Sequence, residues 1–184
     1  MIALLDANVL YSSRLRDFFM WLALQNAFQA HWTTEIQNEW MRNLLLKRPK
    51  ILASNLERTQ RLMNLALPYA LLENVPELDL ILPDNGDVHV LSAAIFANAN
   101  YIVTHNLKDF PNAILEPYGL KATSPDEFVL KVVKQTPDLI LNAITMQQNN
   151  LQNPKLSNSE LLKQLEEQGL GQVIQWVRQQ RKFT

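Results

Sequence analysis

Apolar positions along the first 125 residues follow two rhythms, short continuous runs and longer stretches at helical spacing. Ile2-Ala3-Leu4-Leu5 is continuous, the pattern of a central strand buried on both faces, and Asp6 ends it. Residues 14–28 carry Leu15, Phe18, Phe19, Leu22 and Phe28 at helical spacing. Ala30 to Thr33 reads as a second strand. Thr33 or Thr34 then caps a helix that runs through Glu39, Met41 and Leu45, with Pro49 as its stop signal. A further helix is predicted over 51–67, with Ile51, Leu52, Leu56, Leu62, Met63 and Leu65 available for burial. Pro68 and Pro76 bracket a less regular link. The apolar run Leu80–Leu82 enters the turn Pro83-Asp84-Asn85-Gly86-Asp87, which starts a helix with Val90, Leu91, Ala94 and Ile95 on its inner face. Tyr101 to Val103 is another buried strand, and Leu120 to Thr123 a last small one.

Strands alternating with helices in this order imply an α/β sandwich on a mainly parallel sheet. Beyond about residue 125 the chain turns rich in Gln, Asn and Leu, with Pro154 and the Gly169/Gly171 pair as breaks. This predicts a domain over 1–125 and a C-terminal helical extension of two to four helices over 126–184. There are no internal repeats.

Composition narrows the chemistry. The chain has 184 residues, 47% of them hydrophobic, which is enough for a full core. Charged residues are 19% and the net charge is −1, so neither disorder nor a general polyanion-binding surface is indicated. With no cysteine, disulfides, thiolate metal sites and cysteine nucleophiles are all excluded. His31, His89 and His105 lack zinc-ligand spacing. The N-terminal apolar run is too short for a secretory or membrane-spanning segment, which predicts a cytoplasmic protein without membrane attachment.

Acidic residues occupy the places where such a sheet puts its chemistry, beyond the carboxyl ends of the strands. Asp6 follows the first strand and Asp109 the later one; Asp87 opens the helix before it, where it could equally be a cap. Glu39 lies within a helix, with Glu35 one turn away as its rival. Carboxylates gathered in one pocket repel, by roughly 4 kcal/mol for a pair about 4 Å apart at an effective dielectric near 20. A hard divalent cation with oxygen ligands relieves that repulsion, which points to magnesium or manganese. Ions of this kind activate water for in-line attack on a phosphodiester, and no covalent nucleophile is then needed.

Four segments together resemble PIN domains. Leu5-Asp6-Ala7-Asn8-Val9-Leu10 is similar to their opening Asp-x-Asn motif, and Thr33–Leu44, with Glu39, to their second acidic motif. Leu82–Ala94, with Asp87 before an Ala-rich helix, resembles the third, and Val103–Pro111 the closing one. The resemblance implies a PIN-like three-layer sandwich and magnesium- or manganese-dependent cleavage of RNA. Asp6, Glu39, Asp87 and Asp109 would be the catalytic metal ligands, Asn8 would steady Asp6, and Thr104 and Asn106 would shape the pocket. Many members have Asp at the position of Asn106, so Asn106 and Asp109 are rivals for the fourth ligand, with Asp84 in the outer shell. Ser124–Phe128 and Leu161–Leu170 resemble the helical extension of one VapC-type toxin branch. That implies a cognate antitoxin, expected to place an Arg among the carboxylates, and a homodimer.

RNA would need basic side chains near the acidic pocket. Residues 42–61 carry six (Arg42, Lys47, Arg48, Lys50, Arg58 and Arg61) against one acid, Glu57, and Arg14 and Arg16 follow the first motif. Trp21, Trp32 and Trp40 read as core or interface. Three alternatives stand beside the toxin: a housekeeping RNA-processing nuclease, an inactive PIN-like scaffold with a partner-binding tail, and a receiver-like domain. The last lacks its acidic pair and late Lys.

Overall fold

The computed structural model describes residues 1–151 and 155–180; Pro154, read above as a break, lies outside them. Ile2–Leu5 forms β1, in which Ala3, Leu4 and Leu5 are buried consecutively. Successive strand residues point to opposite faces, so this run is stable only with cover on both. β1 pairs with β2 (Gln29–Thr33) on one side and with β4 (Tyr101–Val103) on the other. β3 (Leu71–Leu72) extends the sheet beyond β2, and β5 (Lys121–Thr123) beyond β4. All these pairings are parallel and the order is β3-β2-β1-β4-β5, which bears out the α/β sandwich.

That order places the site. The chain winds outward from β1 to β3, then returns to β1's other flank as β4. Between β1 and β4 the winding direction reverses, and the crevice beyond the carboxyl ends at such a reversal is the binding place of open parallel sheets. Asp6 lies there, its N–H donating to the Val103 carbonyl at 3.1 Å, and so does Thr104, whose N–H donates to the Thr123 carbonyl at 3.0 Å.

Asp6 also starts a helix that hydrophobic spacing missed, α1 (Ala7–Tyr11), since its carbonyl accepts from Val9 and Leu10. α2 (Ser13–Leu24) is shorter than the 14–28 predicted. Its exit turns through Asn26 at φ 58°, a left-handed conformation Asn tolerates better than most residues. α3 (Thr34–Lys47) is capped as expected, the Thr33 hydroxyl accepting from Ile36 N–H at 3.1 Å.

α4 (Ala53–Ala66) corrects the expected burial. Of the six apolar candidates only Leu56 and Met63 are buried, whereas Leu52, Leu62 and Leu65 are exposed. Residues 56 and 63 are seven apart and share one stripe; the side between them and solvent is polar and paired inward. Asn64 Oδ1 accepts from Trp32 Nε1 at 3.0 Å and from Gln37 Nε2 at 2.8 Å. Trp32 and Trp40 are fully buried, as core residues. β3 lies inside the link read as irregular. α5 (Val88–Phe96) buries Val90, Leu91 and Ala94, and contacts β1 and β4.

The chain divides into two compact units, and the division is not a single cut at residue 125. One comprises Met1–Tyr11 and Phe28–Ser124; the other joins Ser12–Ala27 to the chain from Pro125 on. α2 thus belongs with the C-terminal helices α7 (Pro125–Gln135), α8 (Pro137–Asn150), α9 (Asn158–Glu167) and α10 (Gly171–Arg178), which follow a short helical turn, α6 (Asn112–Leu115), in the first unit. Phe19 of α2 stacks on Phe128 of α7 with ring centroids 6.1 Å apart. No helix among the described residues is long and apolar enough to cross a membrane.

Buried Asp126 organises this second unit. Its carboxylate accepts from the N–H groups of Gln172 and Val173, both at 3.0 Å, and so satisfies two of the orphan donors that open α10. Asp126→Ala leaves both without a partner and is expected to destabilise the unit by about 2 kcal/mol. Urea unfolding of the full chain measures it; a midpoint unchanged within error would refute the capping role.

Candidate functional site

Asp6 is 4% exposed and sits in a triangle of hydrogen bonds. Asn8 Nδ2 donates to Asp6 Oδ2 at 2.6 Å and to Thr104 Oγ1 at 2.8 Å, while the Thr104 hydroxyl donates to the same carboxylate oxygen at 2.6 Å. Asn8 Oδ1 in turn accepts from His105 N–H, and Thr104 Oγ1 from Asn106 N–H at 2.9 Å. The Asp-x-Asn spacing puts Asn8 on the first turn of α1, from where its amide spans the ends of β1 and β4. One carboxylate oxygen is therefore fixed. Burial raises the Asp6 carboxyl above its ordinary value against the Thr104 hydrogen bond that lowers it, and Glu39 raises it further.

The other expected acids act on a shared space. Asp87 is pushed up to about 6, first by burial and then by the charges of Asp6, Asp84, Asp109 and Glu39. Asp87 opens α5 without a side-chain capping bond, so its carboxylate is not spent on the helix. The turn before it is held by Asp84, whose Oδ1 accepts from Gly86 N–H at 2.8 Å. Carboxylate oxygens of Asp84, Asp87 and Asp109 lie within 4.8 Å of one another. Asp6 and Glu39 bear on Asp87 through space without joining that set. Asn106 Nδ2 donates to Asp109 Oδ2 in a short contact.

His89 is the residue the sequence reading passed over. Its Nε2 is 3.6 Å from Glu39 and its Nδ1 3.7 Å from Glu35, so it stands between the two rival glutamates. Burial opposes the imidazolium, but Glu39 and Glu35 outweigh it and His89 is raised above its ordinary value. Its signal in the sequence was position alone, two residues after Asp87 on the first turn of α5.

A cavity of about 750 Å³ is lined by Glu39, Arg42, Asp84, Asp87 and His89 among others. Of the basic residues expected to meet RNA, Arg42 is the one on its wall. Lys47 and Arg48 are exposed, with Lys47 Nζ 5.5 Å from the centre of the Tyr11 ring. Arg14 and Arg16, also expected to meet RNA, lie in the second unit and are engaged there. Arg14 Nε donates to Gln164 Oε1 at 2.7 Å, and Arg16 is 8% exposed, with burial lowering it to about 10 despite Asp17 beside it.

The expected ligands, Asp6, Glu39, Asp87 and Asp109, offer only carboxylate oxygen, with the His89 imidazole on the same cavity wall paired to Glu39 and Glu35. That composition suits magnesium or manganese and is poor for softer metals.

These features meet known families. A model described as VapC50 C-terminal domain matches residues 125–179. A curated relative named "Putative ribonuclease VapC50", from Mycobacterium tuberculosis (strain ATCC 25618 / H37Rv), is 54% identical over 44 residues. That stretch is 24% of this chain and 26% of the relative, so the similarity spans about a quarter of that protein. No solved structure matches the chain. A model described as PIN domain matches residues 3–108, more than half of the chain and the whole of the acidic pocket but for Asp109; the chain belongs to the PIN-domain family.

Proposed function

We propose that this chain is an endoribonuclease that hydrolyses RNA phosphodiester bonds with magnesium or manganese, and that it is the toxin of a type II toxin–antitoxin pair. The observation that carries the reading is Asp87, a carboxyl raised to about 6 by burial and four other carboxylates in a crevice at the reversal of a parallel sheet. Like charges are kept together at such expense where a cation is to be held. The VapC50 relative and the match of residues 125–179 favour a ribonuclease of the toxin branch over a housekeeping enzyme.

Asp6, Glu39, Asp87 and Asp109 would hold the ion, which supplies charge stabilisation and an activated water at the scissile phosphate. The chain's own residues do the positioning. Thr104 and Asn8 fix one oxygen of Asp6, so that the other is directed without loss of rotamer freedom on binding. Asn106 orients Asp109. Arg42, on the cavity wall, is placed to hold a phosphate next to the one being cut, with Lys47 at the end of α3 and Arg48 just after it. An antitoxin would inhibit by placing a basic side chain among the same carboxylates, and the toxin would act as a homodimer in the cytoplasm.

The test is cleavage of a varied set of RNAs by the purified chain with magnesium or manganese, with and without EDTA. Cleavage is expected with metal, is expected to vanish in EDTA, and should return with excess manganese. No cleavage of any RNA, together with no manganese binding by calorimetry, would favour the inactive scaffold, for which Asn106 in place of an acid is the supporting observation.

A further inference from the structure

A second cavity, of about 590 Å³, adjoins the acidic one, and Thr34, Glu35 and His89 line both. Thr33, the last residue of β2, and Ser92 of α5 are on its lining, 8% and 1% exposed. Each hydroxyl accepts from a backbone N–H, Thr33 from Ile36 at 3.1 Å and Ser92 from Leu78 at 3.3 Å. A hydroxyl that accepts in this way still has its own proton to give, so both are buried donors. The segment after β3 adds the exposed carboxylates of Glu73 and Glu77, with apolar Val75 and Pro76 between them. Among the described residues no Lys or Arg lines this cavity, so it is no place for a phosphate.

Resting on the nuclease reading above, we propose that the cavity receives the base of a nucleotide flanking the scissile phosphate, and that the base it selects is guanine. Single-stranded RNA is recognised by splaying a base out of the strand and bonding its Watson–Crick edge. A base is uncharged, so the acidic wall that repels a phosphate does not repel it. The volume falls within the usual range for a small-ligand site. Val75 and Pro76 supply apolar surface for the ring.

The pattern of donors and acceptors chooses among the bases. Guanine alone presents two adjacent N–H donors, on N1 and N2, which match the two oxygens of one carboxylate as a guanidinium fork does. Its O6 beside them accepts, and the Thr33 and Ser92 hydroxyls donate. Uracil brings one N–H between two acceptors, and cytosine and adenine one amino group beside an acceptor. Each of these leaves a carboxylate oxygen unmatched. Glu35 stands 3.7 Å from His89, which leaves Glu73 and Glu77 as the carboxylates for the base.

Two measurements on the full-length protein separate this from a merely solvated acidic loop. One counts the bases beside the cut in a randomised RNA pool with manganese. The other is the anisotropy, in EDTA, of short labelled oligouridines carrying one guanosine or one inosine, which lacks the N2 amino group. Both use wild type, Glu73→Ala/Glu77→Ala and, as a control for lost charge, Glu57→Ala/Asp79→Ala, two exposed acids outside the lining. Wild type is expected to favour guanosine about 10- to 100-fold at one position beside the cut, and to bind guanosine about tenfold more tightly than inosine. Glu73→Ala/Glu77→Ala should cut without preference and bind the two alike, while the control behaves as wild type. Cleavage without base preference, preference for another base, or a guanosine preference that survives loss of both glutamates would overturn the subsite and leave the nuclease standing. Guanosine-selective binding without cleavage of any RNA would support the subsite and overturn the nuclease reading. Neither binding nor cleavage would overturn both.

Discussion

Asp6→Asn is expected to lower RNA cleavage by at least about 10³-fold while leaving the metal-free protein as stable as wild type or more so. The two effects have one origin. Asp6 is buried, and burial holds its carboxyl above the ordinary value, so in the absence of metal its negative charge strains the fold. Asparagine keeps an oxygen where the Asn8 amide and the Thr104 hydroxyl donate, so the triangle joining β1, α1 and β4 survives. What disappears is the charge that would hold the cation at the scissile phosphate. Charge stabilisation by a metal is worth several kcal/mol, and about 4 kcal/mol corresponds to about 10³-fold in rate. The check pairs a single-turnover cleavage rate in manganese with thermal unfolding in EDTA. A variant within tenfold of wild type would remove Asp6 from the chemistry. One that is slow but also melts well below wild type would assign Asp6 to the fold.

The parts of this architecture that were legible in the sequence are those whose local pattern leaves one solution. Ile2–Leu5 and Tyr101–Val103 are short, apolar and bounded, and both are buried parallel strands. Thr33 announces α3 because its hydroxyl and the following apolar spacing agree. Order along the chain was legible too, but not the sheet order, whose reversal between β1 and β4 collects Asp6 and Thr104. Elements too short to show a period were not. α1 has five residues and β3 only two, and each owes its existence to its neighbours.

Partner choice was the second thing hidden. Leu15, Phe18, Phe19 and Leu22 on α2 say that the helix is buried but not against what. Assigned by proximity to the first motif, its Arg14 and Arg16 looked like phosphate ligands. In the structure they are bound up among the helices of the second unit, Arg14 on Gln164 and Arg16 buried. α4 errs in the other direction. Its apolar residues exceed what one stripe can bury, so spacing overstated its core face. At the site, the sequence named Asp84 only for the outer shell and set His89 aside for want of zinc-ligand spacing, because ranking such groups requires knowing which atoms share a space. Asp87 is the instructive case: its place at a helix start argued for a cap, and the structure gives the local acceptor role in that turn to Asp84.

A protein that keeps unneutralised carboxylates together should also betray them through pH. Metal-free protein is expected to lose stability as pH rises from about 4 to about 7, and manganese to abolish or reverse that loss. The sign follows from Asp87, whose carboxyl lies at about 6 in the fold against an ordinary 3.8. A raised value means the folded state holds its proton more tightly than the unfolded chain, so the associated stability is fully present below the ordinary value and is lost as pH rises through about 6. Asp6 and His89, both raised, act in the same direction. A rise of this size is worth about 3 kcal/mol at most, and solvent screening of half-buried Asp87 reduces this to about 1–2 kcal/mol. Manganese at about 100 times its dissociation constant adds about 2.7 kcal/mol, and adds it only where the carboxylates are ionised, so the metal-bound profile should be flat or rising. Asp87→Asn should flatten the metal-free slope without removing it, because Asp6 and His89 remain, and should forfeit most of the gain from manganese. Urea unfolding at several pH values, in EDTA and in manganese, reads all of this together. A metal-free profile that is already flat, and unchanged by Asp87→Asn, would mean that the acids around Asp87 do not share one electrostatic space, and the case for a cation among them would fall with it.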